Sequence, residues 1–163
     1  MLTYKLVQLI QYHSDTLAAS LLHQVQMSER AESYRNVSPA ELKETVHEIY
    51  RHLGEWLLHK SENDIAQRYR AIGARRVEQN VPLNELVWVI VLTKRNLWTY
   101  IDDVSLPGRA VETAEKQEML RHLELFFDEA THAAVAGYES AAQNLTRTPQ
   151  AASKPREKAR KAS

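Results

Sequence analysis

Helical periodicity is the feature that most limits the folds open to this chain of 163 residues. Apolar residues recur every three or four positions as far as about residue 145, which is the spacing that places them on one face of an α-helix. The few glycines and prolines are interpreted as helix ends. We therefore predict an all-α fold, a five-helix bundle or a globin-like arrangement, in a single domain of residues 1–145.

Local signals predict where several of these helices begin and end. Ser38, Pro39 and Glu41 form an N-cap, a first-turn proline and a capping box in front of the second helix. Asn80 is a candidate C-cap for the third helix, which ends before Val81-Pro82. The first helix is predicted over about 2–27, the fourth over about 82–104 and the fifth over about 109–145. The second half of the fifth helix is rich in small residues and permits close helix approach.

Composition excludes several kinds of chemistry. The chain has no cysteine, so disulfides, thiolate nucleophiles and Cys-ligated metals are excluded. Short enzymatic motifs are absent, and we expect a non-enzymatic protein without a cofactor. Two Glu-x-x-His units, at Glu44/His47 and Glu129/His132, point away from the apolar faces of their helices, so a di-iron site is not expected. No window is apolar enough to span a membrane and no leader is recognised, so we expect a cytoplasmic protein.

Charge divides the chain in two. Residues 146–163 carry six basic residues and one acid, whereas residues 1–145 carry 15 basic and 20 acidic residues. The basic segment lacks large apolar residues and is predicted to be a disordered tail, either merely solubilising or a weak tether to nucleic acid or another anionic surface. The acidic body argues against a nucleic-acid-binding fold.

His13 lies on the apolar stripe of the first helix, between Ile10 and Leu17. We expect it to face the core. A buried histidine there can ligate haem or a metal, sense pH, or simply donate a hydrogen bond to a side chain. Ser20 and Gln24 continue the same stripe, either as the polar lining of a small-molecule site or as paired polar groups within the bundle.

Arg76 is the arginine of the third helix that lies near its apolar stripe. A buried guanidinium is costly unless it is paired, and Glu85 at the start of the next helix is one candidate partner. An anionic ligand is the alternative partner.

The fourth helix carries a second apolar stripe, formed by Trp88, Val91 and Trp98. Either neighbouring helices of the same chain cover this stripe, or it is the contact of a homodimer. We predict a homodimer formed through this helix and the small-residue segment of the fifth.

About residues 20–104 resemble a known family, and the stretch from Tyr69 to Trp98 carries most of the resemblance. Tyr69, Gly73 and Arg76 are followed by Val81-Pro82-Leu83, and Lys94-Arg95 precedes Leu97-Trp98. This pattern is similar to the N-terminal sensory domains of bacterial stressosome co-antagonists, the RsbR and RsbRD group. The resemblance implies an all-helical, often globin-like domain without haem, which forms dimers and passes a signal to an output domain. No such domain is attached here, so the output would act in trans.

Together these observations predict a non-enzymatic sensory or regulatory module that binds itself and an unidentified signalling protein. The alternative is a small-molecule or haem-binding protein that uses the His13 side of its core. Absorbance near the Soret region distinguishes the haem form of that alternative.

Overall fold

The computed structural model describes residues 2–59, 62–104 and 110–147, and this part of the chain is all helical. The predicted tail lies outside it, except that Thr146 and Arg147 belong to the last helix instead. Six α-helices and one 3₁₀ segment follow in chain order: α1 (Leu2–Tyr12), α2 (Ser14–Met27), the 3₁₀ segment (Glu29–Asn36), α3 (Pro39–His59), α4 (Glu62–Glu78), α5 (Leu83–Val104) and α6 (Ala110–Arg147). The all-α prediction is confirmed. No helix in the described ranges is long and apolar enough to cross a membrane.

The first predicted helix is two helices, which meet at His13. The backbone of His13 leaves the α-helical region, with φ −100° and ψ 15°, and its carbonyl accepts the N–H of Leu17 at 2.9 Å. Ser14, Asp15 and Thr16 follow directly. Short polar side chains of this kind favour helix starts over helix interiors, which accounts for the break.

The predicted start of α3 and the predicted end of α4 are both confirmed. Ser38 Oγ accepts the backbone N–H of Glu41 at 3.1 Å, as the N-cap requires. Asn80 has φ +56°, and the N–H groups of Asn80 and Val81 reach the carbonyls of Val77 and Arg76 at 3.1 and 3.0 Å. This is the paired hydrogen-bond pattern of a Schellman C-cap.

Glycines bring α4 and α6 into backbone contact. A Cβ added to Gly73 would lie 2.0 Å from the carbonyl oxygen of Ala134, and one added to Gly137 would lie 2.2 Å from that of Arg70. Gly54, Gly73 and Gly137 lie inside α3, α4 and α6, so the interpretation of these glycines as helix ends is wrong. The prediction of close helix approach is confirmed, but its partner is α4 of the same chain. This face of α6 is consequently not free for a second copy.

The core lies between α5, α6 and the α1–α3 side of the fold. Its largest fully buried side chains belong to α1, α2, α3, α5 and α6: Tyr50, Phe126, Ile10, Leu21, Leu53, Leu86, Leu97, Ile101 and Leu123. α5 contributes Leu86, Leu97 and Ile101 from one side only. Its opposite side is half-buried, so α5 is not enclosed all round.

Candidate functional site

A polar cluster around the buried Asn96 joins α2, α3 and α5. The Asn96 amide nitrogen donates to the carbonyl of Leu17 and to the hydroxyl oxygen of Tyr50, both at 3.0 Å. Its amide oxygen accepts from Ser20 Oγ and Gln24 Nε2, also at 3.0 Å. Ser20 and Gln24 thus both contact Asn96, and these contacts fit the interpretation as paired polar groups, while the lining of a small-molecule site stays a hypothesis. Burial raises the pKa of Tyr50 to about 12, against the opposing hydrogen bond from Asn96.

Asn96 and Tyr50 were missed at the sequence level. An asparagine inside an otherwise apolar helix was the available signal, because such a residue is retained in a core only when its amide is satisfied.

His13 lies at the break between α1 and α2 and is half-buried. Its ring centroid is 4.9 Å from that of Tyr12 and 5.8 Å from that of Tyr100. His13 thus faces the core only in part: it packs on Tyr100, which lies against the core, and beside Tyr12, which is 83% exposed. Ligation of haem or a metal by His13 stays a hypothesis.

Arg76 is buried, as predicted, with only 2% of its surface exposed. Its Nη1 donates to Gln79 Oε1 at 2.6 Å and lies 3.4 Å from Glu41 Oε1. Its guanidinium also stacks 5.5 Å from the ring centroid of Tyr34. Glu85 is not the partner: its carboxylate instead accepts the N–H and Oγ–H of Ser33, at 2.8 and 2.9 Å.

Glu41 ties the start of α3 to the end of α4. Its carboxylate receives Arg75 Nε at 3.2 Å and Gln79 Nε2 at 2.9 Å, in addition to the contact with Arg76. Hydrogen bonding from Arg75 is the main reason that the pKa of Glu41 is lowered, and the Gln79 bond and both arginine charges act in the same direction. Partial burial opposes this effect. The Glu41 cluster is therefore an electrostatic clamp between two helices.

A groove of about 230 Å³ extends from this clamp between α3 and α4. Ile49, Ile65 and Ile72 give it an apolar lining, and Arg76, Tyr69 and His52 also line it. Each of those last three residues has a solvent-inaccessible polar atom with no hydrogen-bond partner among the described residues: Arg76 Nε, Tyr69 Oη and His52 Nε2. An unsatisfied buried donor or acceptor costs about 1–3 kcal/mol, so three along one groove are unusual in a native fold.

The second stripe of α5 lies at the protein surface. Trp88, Val91 and Trp98 are all half-buried, and the exposed Arg95 lies on the same side of the helix. Trp88 Nε1 donates to Ser28 Oγ at 3.0 Å. Chain-internal contacts therefore cover this stripe only in part.

Two arginines stack on Trp88. The guanidinium carbons of Arg30 and Arg95 lie 4.7 and 5.3 Å from its ring centroid. These cation–π contacts were not predicted, because Arg30 lies in the 3₁₀ segment, which has no helical periodicity. They fix the ring of Trp88 at the surface.

The histidines of the two Glu-x-x-His units do not meet in a metal site. His47 Nε2 instead lies 2.9 Å from Asp15 Oδ1, which links α3 to α2. Within residues 2–59, 62–104 and 110–147, no group of three or more His, Asp or Glu side chains is arranged to hold a metal ion.

The fold and these contacts define an all-α domain whose special features are a helix clamp, a groove and an exposed aromatic stripe. Residues 15–153 match the family described as RsbT co-antagonist protein rsbRD N-terminal domain. The match covers most of the chain, so the protein belongs to this family, and the resemblance found in the sequence is confirmed. The family is one of stressosome-type regulatory domains. No curated protein and no solved structure gives a significant match.

Proposed function

We infer that this chain is a non-enzymatic regulatory module of the stressosome type, with residues 1–145 as its working domain in the cytoplasm. It acts by protein–protein contact, first with a second copy of itself and then with a signalling protein. Family membership supports the regulatory role. The surface stripe of α5 is the observation that supports self-association.

The stripe has the pattern of a helix-to-helix contact. Trp88, Val91, Arg95 and Trp98 are separated by three, four and three positions, so their side chains form one seam along α5. Half-buried aromatic residues with arginine beside them are enriched at protein interfaces. A two-fold axis across α5 would pair this seam with itself, as in most soluble homodimers.

Sedimentation velocity of the full chain at tens of micromolar tests this proposal. We expect a dimer. Val91→Arg places a charge in the middle of the seam and should produce a monomer that retains its helical circular dichroism. Leu125→Arg is the matched control, since Leu125 is 51% exposed on α6, and it should leave the dimer intact. A wild-type monomer at this concentration, or equal dissociation by both variants, would contradict the proposal.

A further inference from the structure

The α3–α4 groove has three features that simple packing between two helices does not require. It has an apolar lining, it carries arginine charge at one end, and three of its lining residues have a buried polar atom with no hydrogen-bond partner among the described residues. A second groove of about 250 Å³, between α2, the 3₁₀ segment and α3, lacks the last feature, because none of the unpartnered atoms belongs to its lining. The α3–α4 groove is therefore the stronger ligand site.

The two ends of the groove differ in chemistry. Arg76 and Tyr69 lie seven residues apart on α4, which is about 10 Å along a helix. At the Arg76 end, Nε–H of a guanidinium that is 2% exposed has no acceptor. Three arginines and two glutamates line the groove as a whole, and one of these glutamates, Glu41, already contacts both Arg75 and Arg76. The Nε–H of Arg76 is therefore the donor that remains for an anion.

Tyr69 and His52 are the other two lining residues with such an atom. Tyr69 is 4% exposed, and its hydroxyl has no hydrogen-bond partner among the described residues. Burial holds the pKa of this hydroxyl far above its ordinary value, so it stays protonated and able to donate. His52 Nδ1 lies 3.2 Å from Glu55 Oε2; when Nδ1 donates to that carboxylate, Nε2 is left with a free lone pair.

We propose that this groove binds a small carboxylic acid about 10 Å long, with an apolar body and a hydroxyl group at its far end. The carboxylate accepts from Arg76 Nε–H, and the body packs between Ile49 and Ile72. The ligand hydroxyl accepts from Tyr69 and donates to His52 Nε2. The volume of about 230 Å³ limits the ligand to roughly a dozen non-hydrogen atoms.

Binding requires a small outward shift of α3. The unpartnered atoms are solvent-inaccessible in this conformation, so the groove must widen before a ligand reaches them. α4 does not move in this step, because Gly73 and Gly137 hold it against the backbone of α6. The site is separate from the α5 stripe, so its test does not depend on the proposed dimer.

The probe is 3-(4-hydroxyphenyl)propionate, which matches the proposed length and has a carboxylate and a hydroxyl at opposite ends. Titration into the full ¹⁵N-labelled chain, followed by ¹H–¹⁵N spectra, should give saturable shifts in α3 and the facing side of α4. 3-Phenylpropionate lacks the hydroxyl and should bind at least about fivefold more weakly. The carboxamide analogue should also bind more weakly, because it lacks the charge that Arg76 recognises.

Tyr69→Phe supplies the decisive variant, since it keeps the ring and removes only the hydroxyl. This variant should weaken binding of the hydroxylated probe at least about fivefold. It should leave binding of 3-phenylpropionate unaffected, because that compound has no hydroxyl for Tyr69 to contact. Tyr12→Phe is the control: Tyr12 is 83% exposed and outside the groove, and its variant should bind as wild type. The proposal is overturned if no saturable shifts appear up to about 10 mM probe, if the shifts are confined to other helices, or if Tyr69→Phe binds the probe as wild type does.

Discussion

The two sides of α4 are packed by different means. Against α6, Gly73 and Gly137 allow backbone-to-backbone contact, and a single added Cβ would collide with a carbonyl oxygen. Against α3, α4 is held by the Glu41 clamp at one end and by an incompletely filled groove along the rest. One side of α4 is thus packed directly against backbone. The other side combines an ion-pair clamp with an apolar groove whose lining residues include polar atoms with no hydrogen-bond partner among the described residues.

This difference indicates which helix pair is the scaffold and which is adjustable. Backbone contact has no flexible side chain that can yield, so α4 and α6 should behave as one unit. Ion pairs and a groove are altered by pH, by ligands and by small displacements. We therefore expect the α3–α4 side to be the more adjustable of the two.

The largest effect is expected at the glycine contact. Gly137→Ala forces a Cβ to within 2.2 Å of the Arg70 carbonyl oxygen, and α4 must move away from α6 to relieve it. We expect a loss of about 3 kcal/mol or more in the free energy of unfolding, measured by urea denaturation.

Gly54→Ala is the matched control for that substitution. Its Cβ would meet only side-chain atoms, the nearest being Val7 Cγ1 at 3.2 Å. The gain in helix propensity, about 1 kcal/mol, should offset this contact. Equal destabilisation by Gly54→Ala and Gly137→Ala would show that the α4–α6 contact has no special rigidity.

A smaller, pH-dependent effect is expected at the clamp. The pKa of Glu41 is lower in the folded chain than its usual 4.5, so its contribution to stability is present above pH 4.5 and is lost as the pH falls through the folded value. Glu41→Gln should cost about 1.5 kcal/mol at pH 7 and less at pH 3, because the contribution of the Glu41 charge declines as the pH falls below 4.5.

Glu44→Gln controls for removal of a negative charge from the same helix, because Glu44 is exposed. It should have no measurable effect at either pH. A difference between wild type and Glu41→Gln that stays constant from pH 7 to pH 3 would mean that the clamp does not depend on the Glu41 charge.

Much of this fold was predictable from sequence because its helices follow local rules. Periodicity, the Ser38 cap and the left-handed Asn80 are properties of neighbouring residues, and each was confirmed. The small residues of α6 also predicted close approach. Their partner was not predictable, because the choice between α4 and a second copy depends on how the whole chain folds.

The candidate site shows the same division. Burial of Arg76 followed from its position on the α4 stripe, whereas its clamp with Glu41 joins residues 35 positions apart. Glu85 is much closer to Arg76 in sequence, but its carboxylate accepts a hydrogen bond from Ser33 of the 3₁₀ segment. That segment carries no helical periodicity, so neither its contact with Glu85 nor the stacking of Arg30 on Trp88 was visible beforehand. The groove itself depends on how side chains of α3 and α4 pack, which local sequence patterns do not predict.

Native-state hydrogen exchange at low urea concentrations tests the difference between the two sides of α4 most directly. Amides around Gly73 in α4 and Gly137 in α6 should exchange only through global unfolding, since that contact has no partly open form. Amides of α3 beside the groove, from Thr45 to His52, should open at a free energy lower by about 1 kcal/mol or more, because unpartnered polar atoms weaken the closed state. Exchange of both sets at one free energy, or earlier opening between α4 and α6, would contradict this account.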